Sequence, residues 1–120
     1  MSAERFLVQL THGPEDPDRV TVAMVMANAG LALGKQTVVL LSNEGVRAAE
    51  PRVIASIAEP GFERLENLVR QYLQGGGEIW ACAPCVQKRQ LEGALIPEVK
   101  MVGAVAAIAF AAENAVSFAF

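Results

Sequence analysis

Cysteine, histidine and charge are all scarce in this chain. Among 120 residues there are two cysteines, one histidine and one tryptophan, and only 19% of the residues are charged. Two cysteines and one histidine fall short of the four ligands of a structural zinc site, and His12 lies far along the chain from the cysteine pair. The net charge of −3 gives no basic footprint for nucleic acid. No basic N-terminal region leads into an apolar run, so a secretory signal is not expected. The longest apolar stretch, Met101–Ala112, has 12 residues, whereas crossing a bilayer takes about 20. A cytoplasmic protein with no membrane segment is the natural expectation. No motif calls for a cofactor or a metal.

An apolar content of 52% excludes disorder and is high for so small a domain. The length suits one domain over residues 1–120 with one core, and the excess apolar surface points to burial between subunits.

Four runs read as buried strands: Arg5 to Thr11, Gln36 to Leu41, Glu78 to Ala81 and a short Val99 to Val102. A fifth, Ala115 to Phe120, closes the chain. Their continuous rather than alternating hydrophobicity suits a parallel sheet covered on both faces. Between them, Arg19 to Leu33 has the length of a helix, with Asp16 or Asp18 as its N-cap and Gly34 as its C-cap. Phe62 to Leu73 is amphipathic with apolar residues three or four apart, and Ala104 to Ala112 is a small-residue helix. Residues 46–60 are hard to read, because Pro51 and Pro60 interrupt them. The expected fold class is α/β, a three-layer α/β/α sandwich around a mostly parallel five-stranded sheet.

Sites in such sheets form at the carboxyl ends of strands. His12, Asn43 and Cys82 each follow a predicted strand, so all three should lie along one edge. The chemistry concentrates in Trp80-Ala81-Cys82-Ala83-Pro84-Cys85, a CxxC pair at a strand-to-helix junction. Helix amides there favour an anion, and thiolate character controls cysteine reactivity. Lys88 and Arg89 follow Cys85 by three and four residues and, on a helix, share its side. All of this acts to activate the pair; the plain alternative is two buried cysteines serving as small hydrophobes. His12 is a candidate general base or thiolate partner, and Asn43, within Asn43-Glu44-Gly45, a candidate polar group in the same cleft; the simplest role of that segment is a turn. Gly75-Gly76-Gly77 precedes a strand and lacks the spacing of a nucleotide loop.

A tryptophan before a CxPC pair is also found in thioredoxins. Here the pair comes late in the chain, and Pro97 follows it too closely to be that fold's distant cis-proline.

With the elements in place, the chain resembles the DsrE/DsrF-like family, including its sulfur-relay subunits and YchN-like proteins. The likeness is carried by Thr11-His12-Gly13-Pro14-Glu15-Asp16-Pro17, by the Gly34-Lys35-Gln36-Thr37-Val38 turn, and above all by Gly77 to Arg89 with Leu95-Ile96-Pro97-Glu98-Val99 and Gly103. Two departures stand out: Gln90 replaces the glycine that often follows the arginine, and Pro97-Glu98 replaces the usual glycine before Val99. The resemblance implies an α/β/α fold with a five-stranded parallel sheet, assembled as trimers or hexamers. It also implies that Cys82, at the position matching the relay cysteine, carries a persulfide received from one protein and passed to another, with Cys85 as accessory.

Three functions remain open from the residues: a cytoplasmic sulfur carrier or sulfurtransferase-like protein served by sulfur donor and acceptor proteins, a dithiol redox protein using Cys82 and Cys85, and a non-catalytic oligomeric binding or regulatory module with structural cysteines.

Overall fold

A computed structural model describes residues 4–120. Its five strands are β1 (Arg5–Leu10), β2 (Gln36–Leu41), β3 (Glu78–Cys82), β4 (Lys100–Val102) and β5 (Ala115–Ala119). They form one sheet in the order β4-β3-β2-β1-β5, and every pair is parallel. The sandwich expected from the continuous apolar strands is therefore present, with the sheet wholly parallel.

Alternate strand residues feed two cores. Val8, Leu10, Val39, Leu41 and Ile79 face the larger one. It is closed by α1 (Pro17–Ala32), α2 (Pro51–Ser56) and α3 (Leu65–Gln74). Leu7, Val38, Trp80 and Val102 face the smaller one, where Phe110 of α5 (Ala104–Ala112) is buried against them. The Trp80 and Phe110 rings meet edge to face at 5.5 Å, and the Arg5 guanidinium lies over Phe110. No helix among the described residues is long and apolar enough to cross a membrane.

α1 starts two residues before the predicted Arg19, because Pro17 fits the first helical turn, where its missing N–H costs nothing. The Asp16 carboxylate caps it by accepting the Arg19 amide at 3.2 Å. At the other end Leu33 is the C-cap, and Gly34 follows at φ +76°, in the left-handed conformation glycine favours. α3 begins at Leu65, three residues later than the apolar spacing suggests. Gly61 at φ +83° turns the chain, Phe62 is left exposed, and the Leu65 amide donates to the Ile57 carbonyl at 3.1 Å. The hard-to-read segment is a 3₁₀ turn over Asn43–Ala49 followed by α2, which Pro51 opens rather than breaks.

Candidate functional site

The strand order puts β3, β2 and β1 side by side, with Ala81 opposite Leu41 and Leu41 opposite Leu10. The segments after them therefore leave the sheet along one edge, as parallel pairing requires. Cys82 ends β3 and is the N-cap of the short helix α4 (Ala83–Lys88). Pro84 occupies the second helical position, where the backbone amide is unpaired in a helix and proline is tolerated.

Both cysteines are free and half-buried. The two thiols influence each other's ionisation, so they titrate as a pair rather than as two independent groups. The two members are not equivalent. Burial pushes the Cys82 thiol up, and the hydrogen bond and negative charge of Cys85 push the same way; the Cys85 amide and the Arg89 charge offset this only in part. No full capping hydrogen bond reaches the Cys82 side chain.

Burial acts against the Cys85 thiolate too. There the Cys82 thiol, the Asn43 amide and the Arg89 and Lys88 charges outweigh it and hold Cys85 below the ordinary thiol value. The Asn43 N–H donates to Cys85 Sγ at 3.2 Å.

That amide is delivered by unusual local geometry. Asn43 has φ +54°, a left-handed conformation that asparagine tolerates better than most residues. Two residues on, Gly45 lies against the Leu10 carbonyl so closely that a Cβ would collide with it. The loop after β2 is thus seated on the end of β1, and Asn43 faces the neighbouring α4.

Arg89 ties this loop to the cysteine helix. Its Nη1 donates to the Cys85 carbonyl at 3.1 Å, and its Nε lies 3.5 Å from Glu44 Oε2. The Nε is fully buried and has no hydrogen-bond partner of good geometry. Glu44 also accepts from Arg47 Nε at 2.6 Å, and that bond, then the charges of Arg47 and Arg89, hold its carboxyl below the usual value against the opposing effect of burial. Lys88 is exposed and contributes charge rather than contact.

His12 is held elsewhere on the edge. Its Nε2 accepts from Arg19 Nη1 at 3.1 Å, which leaves the ring proton on Nδ1 to reach Thr11 Oγ1 at 3.2 Å. The Thr11 hydroxyl in turn donates to the Phe120 carbonyl at 3.0 Å. Among the described residues no hydrogen bond connects His12 with either thiol, and a whole strand, β2, stands between β1 and β3. Of the six residues singled out in the sequence, Cys82, Cys85, Asn43, Lys88 and Arg89 come together, and His12 does not join them.

Glu44 enters the sequence reading only as part of the Asn43-Glu44-Gly45 turn, because its pairing with Arg89 exists only between the loop after β2 and the end of α4. Among the described residues no group of three or more histidine, cysteine, aspartate or glutamate side chains is placed to hold a metal ion.

Together these features define a parallel α/β protein with a polarised dithiol at the carboxyl edge of its sheet. The chain belongs to the DsrE/DsrF-like family, whose model matches residues 4–118. No curated protein matches it. Solved structures share the fold. The MTH1491 protein of unknown function from Methanobacterium thermoautotrophicum superposes with a TM-score of 0.75 at 15% identity, covering 97% of this chain and 98% of that one. The ychN protein of E. coli gives 0.65 at 11% identity, covering 95% and 99%. The BT1422 protein of unknown function from Bacteroides thetaiotaomicron gives 0.61 at 16% identity, covering 98% of both.

Proposed function

We propose that this protein is a sulfur carrier, or sulfurtransferase-like protein, that holds a sulfane sulfur as a persulfide on the Cys82–Cys85 pair. The family is associated with sulfur relay, and that association supports the reading. The observation that carries it is the polarised thiol pair itself. One sulfur is supplied with an amide N–H, a neighbouring thiol and two cationic side chains, while both remain half-exposed. A structural cysteine needs no such surroundings, whereas a persulfide anion does. The reading places the protein in a reducing, cytoplasmic setting, working as a homo-oligomer between sulfur donor and acceptor proteins.

Mass spectrometry of the intact chain after incubation with a persulfide donor tests this. The expected result is the gain of one sulfur atom, lost again on treatment with a thiol reductant. A chain that gains none, with both thiols accessible to alkylation, refutes the carrier reading.

The coupling of two free thiols three residues apart at one strand-to-helix junction favours one other reading, a dithiol redox protein. It predicts a reversible Cys82–Cys85 disulfide with no gain of sulfur.

A further inference from the structure

We propose that Cys85 is the sulfur-accepting nucleophile and Cys82 the protonated thiol that serves it, the reverse of the order that the family resemblance implies. This rests on the sulfur-carrier reading.

The argument is one of donors. A sulfur anion at a half-buried site needs hydrogen-bond donors and positive charge, and the fold supplies them unequally. Cys85 Sγ receives the Asn43 amide at 3.2 Å, from a loop locked by the close approach of Gly45 to the Leu10 carbonyl. A backbone amide has one proton, and directing it at a sulfur makes sense for a thiolate, a far better acceptor than a thiol. The Cys82 S–H supplies a second donor, and Arg89, fixed through the Cys85 carbonyl and Glu44, supplies charge. Among the described residues no neighbouring loop donates to Cys82; only the Cys85 amide of its own helix acts on it, short of a capping bond. The six-residue helix α4 therefore contributes less to activation than the loop after β2.

The chemistry follows this asymmetry. The Cys85 thiolate attacks the outer sulfur of a donor persulfide R–S–SH. A bond forms between Cys85 Sγ and that sulfur, the bond to the donor's inner sulfur breaks, and its electron pair leaves on R–S⁻. The product is Cys85–S–SH, with no net oxidation and the same total charge.

Cys82 matters for what it does not do. As a thiolate it would attack Cys85 Sγ, expel HS⁻ and close a Cys82–Cys85 disulfide, which destroys the cargo. Held as the thiol, it hydrogen-bonds the Cys85 sulfur and leaves the persulfide for an acceptor thiolate to take.

Two measurements on the native chain and its variants decide the order. First, the wild-type protein is treated with substoichiometric iodoacetamide at neutral pH and digested. Both cysteines fall on one peptide, and cleavage before Pro84 separates them in fragmentation. Cys85 is expected to carry several times more label than Cys82; equal labelling, or more on Cys82, overturns the proposal without any variant. Second, Cys82→Ser and Cys85→Ser are incubated with glutathione persulfide. Sulfur gain by Cys82→Ser and none by Cys85→Ser is the expected result. Gain by Cys85→Ser alone overturns the order while leaving the carrier reading intact. A wild-type chain that gains no sulfur overturns the carrier reading itself, and the labelling experiment still reports which thiol is the nucleophile.

Discussion

Arg89 is the residue on which the thiol pair depends most for charge. Its charge favours both thiolates, and it ties the loop after β2 to α4 through Glu44 and the Cys85 carbonyl. Arg89→Met keeps much of the side-chain volume and removes the charge. Alkylation of the native pair at neutral pH should slow several-fold, with the pH–rate profile moved upward; an unchanged profile would show that the Asn43 amide alone sets the reactivity.

In the wild type that profile should show two steps belonging to the pair, one below and one above the ordinary thiol value of 9.0. The charged and titratable groups set against the pair are Lys88 on α4, Arg89 at its C-terminal cap and Glu44 from the loop after β2.

Glu44 adds an acid limit. Its folded carboxyl lies below the ordinary 4.5, so its pairing stabilises the fold fully above that value and is lost as pH falls through the folded one. Because the side chain is 44% exposed, solvent and salt screen the effect. Thermal melts in low salt should show an acid-side loss that Glu44→Gln flattens; identical acid limbs would exclude the pair from stability.

At the scale of elements, the loops after β2 and α4 do the positioning. Gln90 sits at φ +57° just beyond α4, a backbone region that disfavours side chains with a Cβ. This accounts for the glycine that often stands there in the family pattern. Gln90→Gly should stabilise the chain by roughly 0.5–1 kcal/mol, read as a higher denaturation midpoint with unchanged slope. A lower midpoint would mean that the Gln90 side chain makes contacts worth more than the strain. Gly45→Ala should do the opposite. Its Cβ meets the Leu10 carbonyl, a clash costing about 1–3 kcal/mol, and the shift it forces should draw the Asn43 amide from Cys85 and slow alkylation there.

Much of this layer is legible in the sequence: continuous apolar strands, Asp16 as a cap, Gly34 as a stop, and CxxC at a junction are all local signals. The start of α3 is not, because Phe62 continues the apolar spacing while Gly61 turns the backbone against it. The division of labour between the thiols is not legible either. It depends on an amide from β2 meeting a side chain from α4, a contact that only strand order creates. The same applies to His12, which shares the sheet edge yet bonds Arg19, one helix turn into α1, instead of the thiols.

For the whole molecule, the unevenness of its two faces is what calls for a partner. α1, α2 and α3 close one side of the sheet, while α5 alone lies on the other. Of the nine residues of α5 only Phe110 is buried; Val105 is 85% exposed and Ile108 67%, on a helix with no charged residue. Around the β5 edge, Val116 and Phe118 line an apolar groove of about 300 Å³ with Leu33 and Met26 of the α1 side. A monomer would expose both surfaces to water, and burial of each large apolar side chain contributes about 1.5–3 kcal/mol. Association of identical chains is the simplest way to cover them, and it is the homo-oligomer proposed above. Light scattering at micromolar concentration should therefore report a mass several times that of one chain. Ile108→Glu places a charge in the middle of the α5 surface without touching the larger core or the thiols. It should reduce the assembly to smaller species that keep the wild-type alkylation pattern. A monomeric wild type would remove subunit association as the reason for this apolar surface. A variant of unchanged mass would instead move the contact from α5 to the β5 edge, where Phe118→Glu should then have the effect.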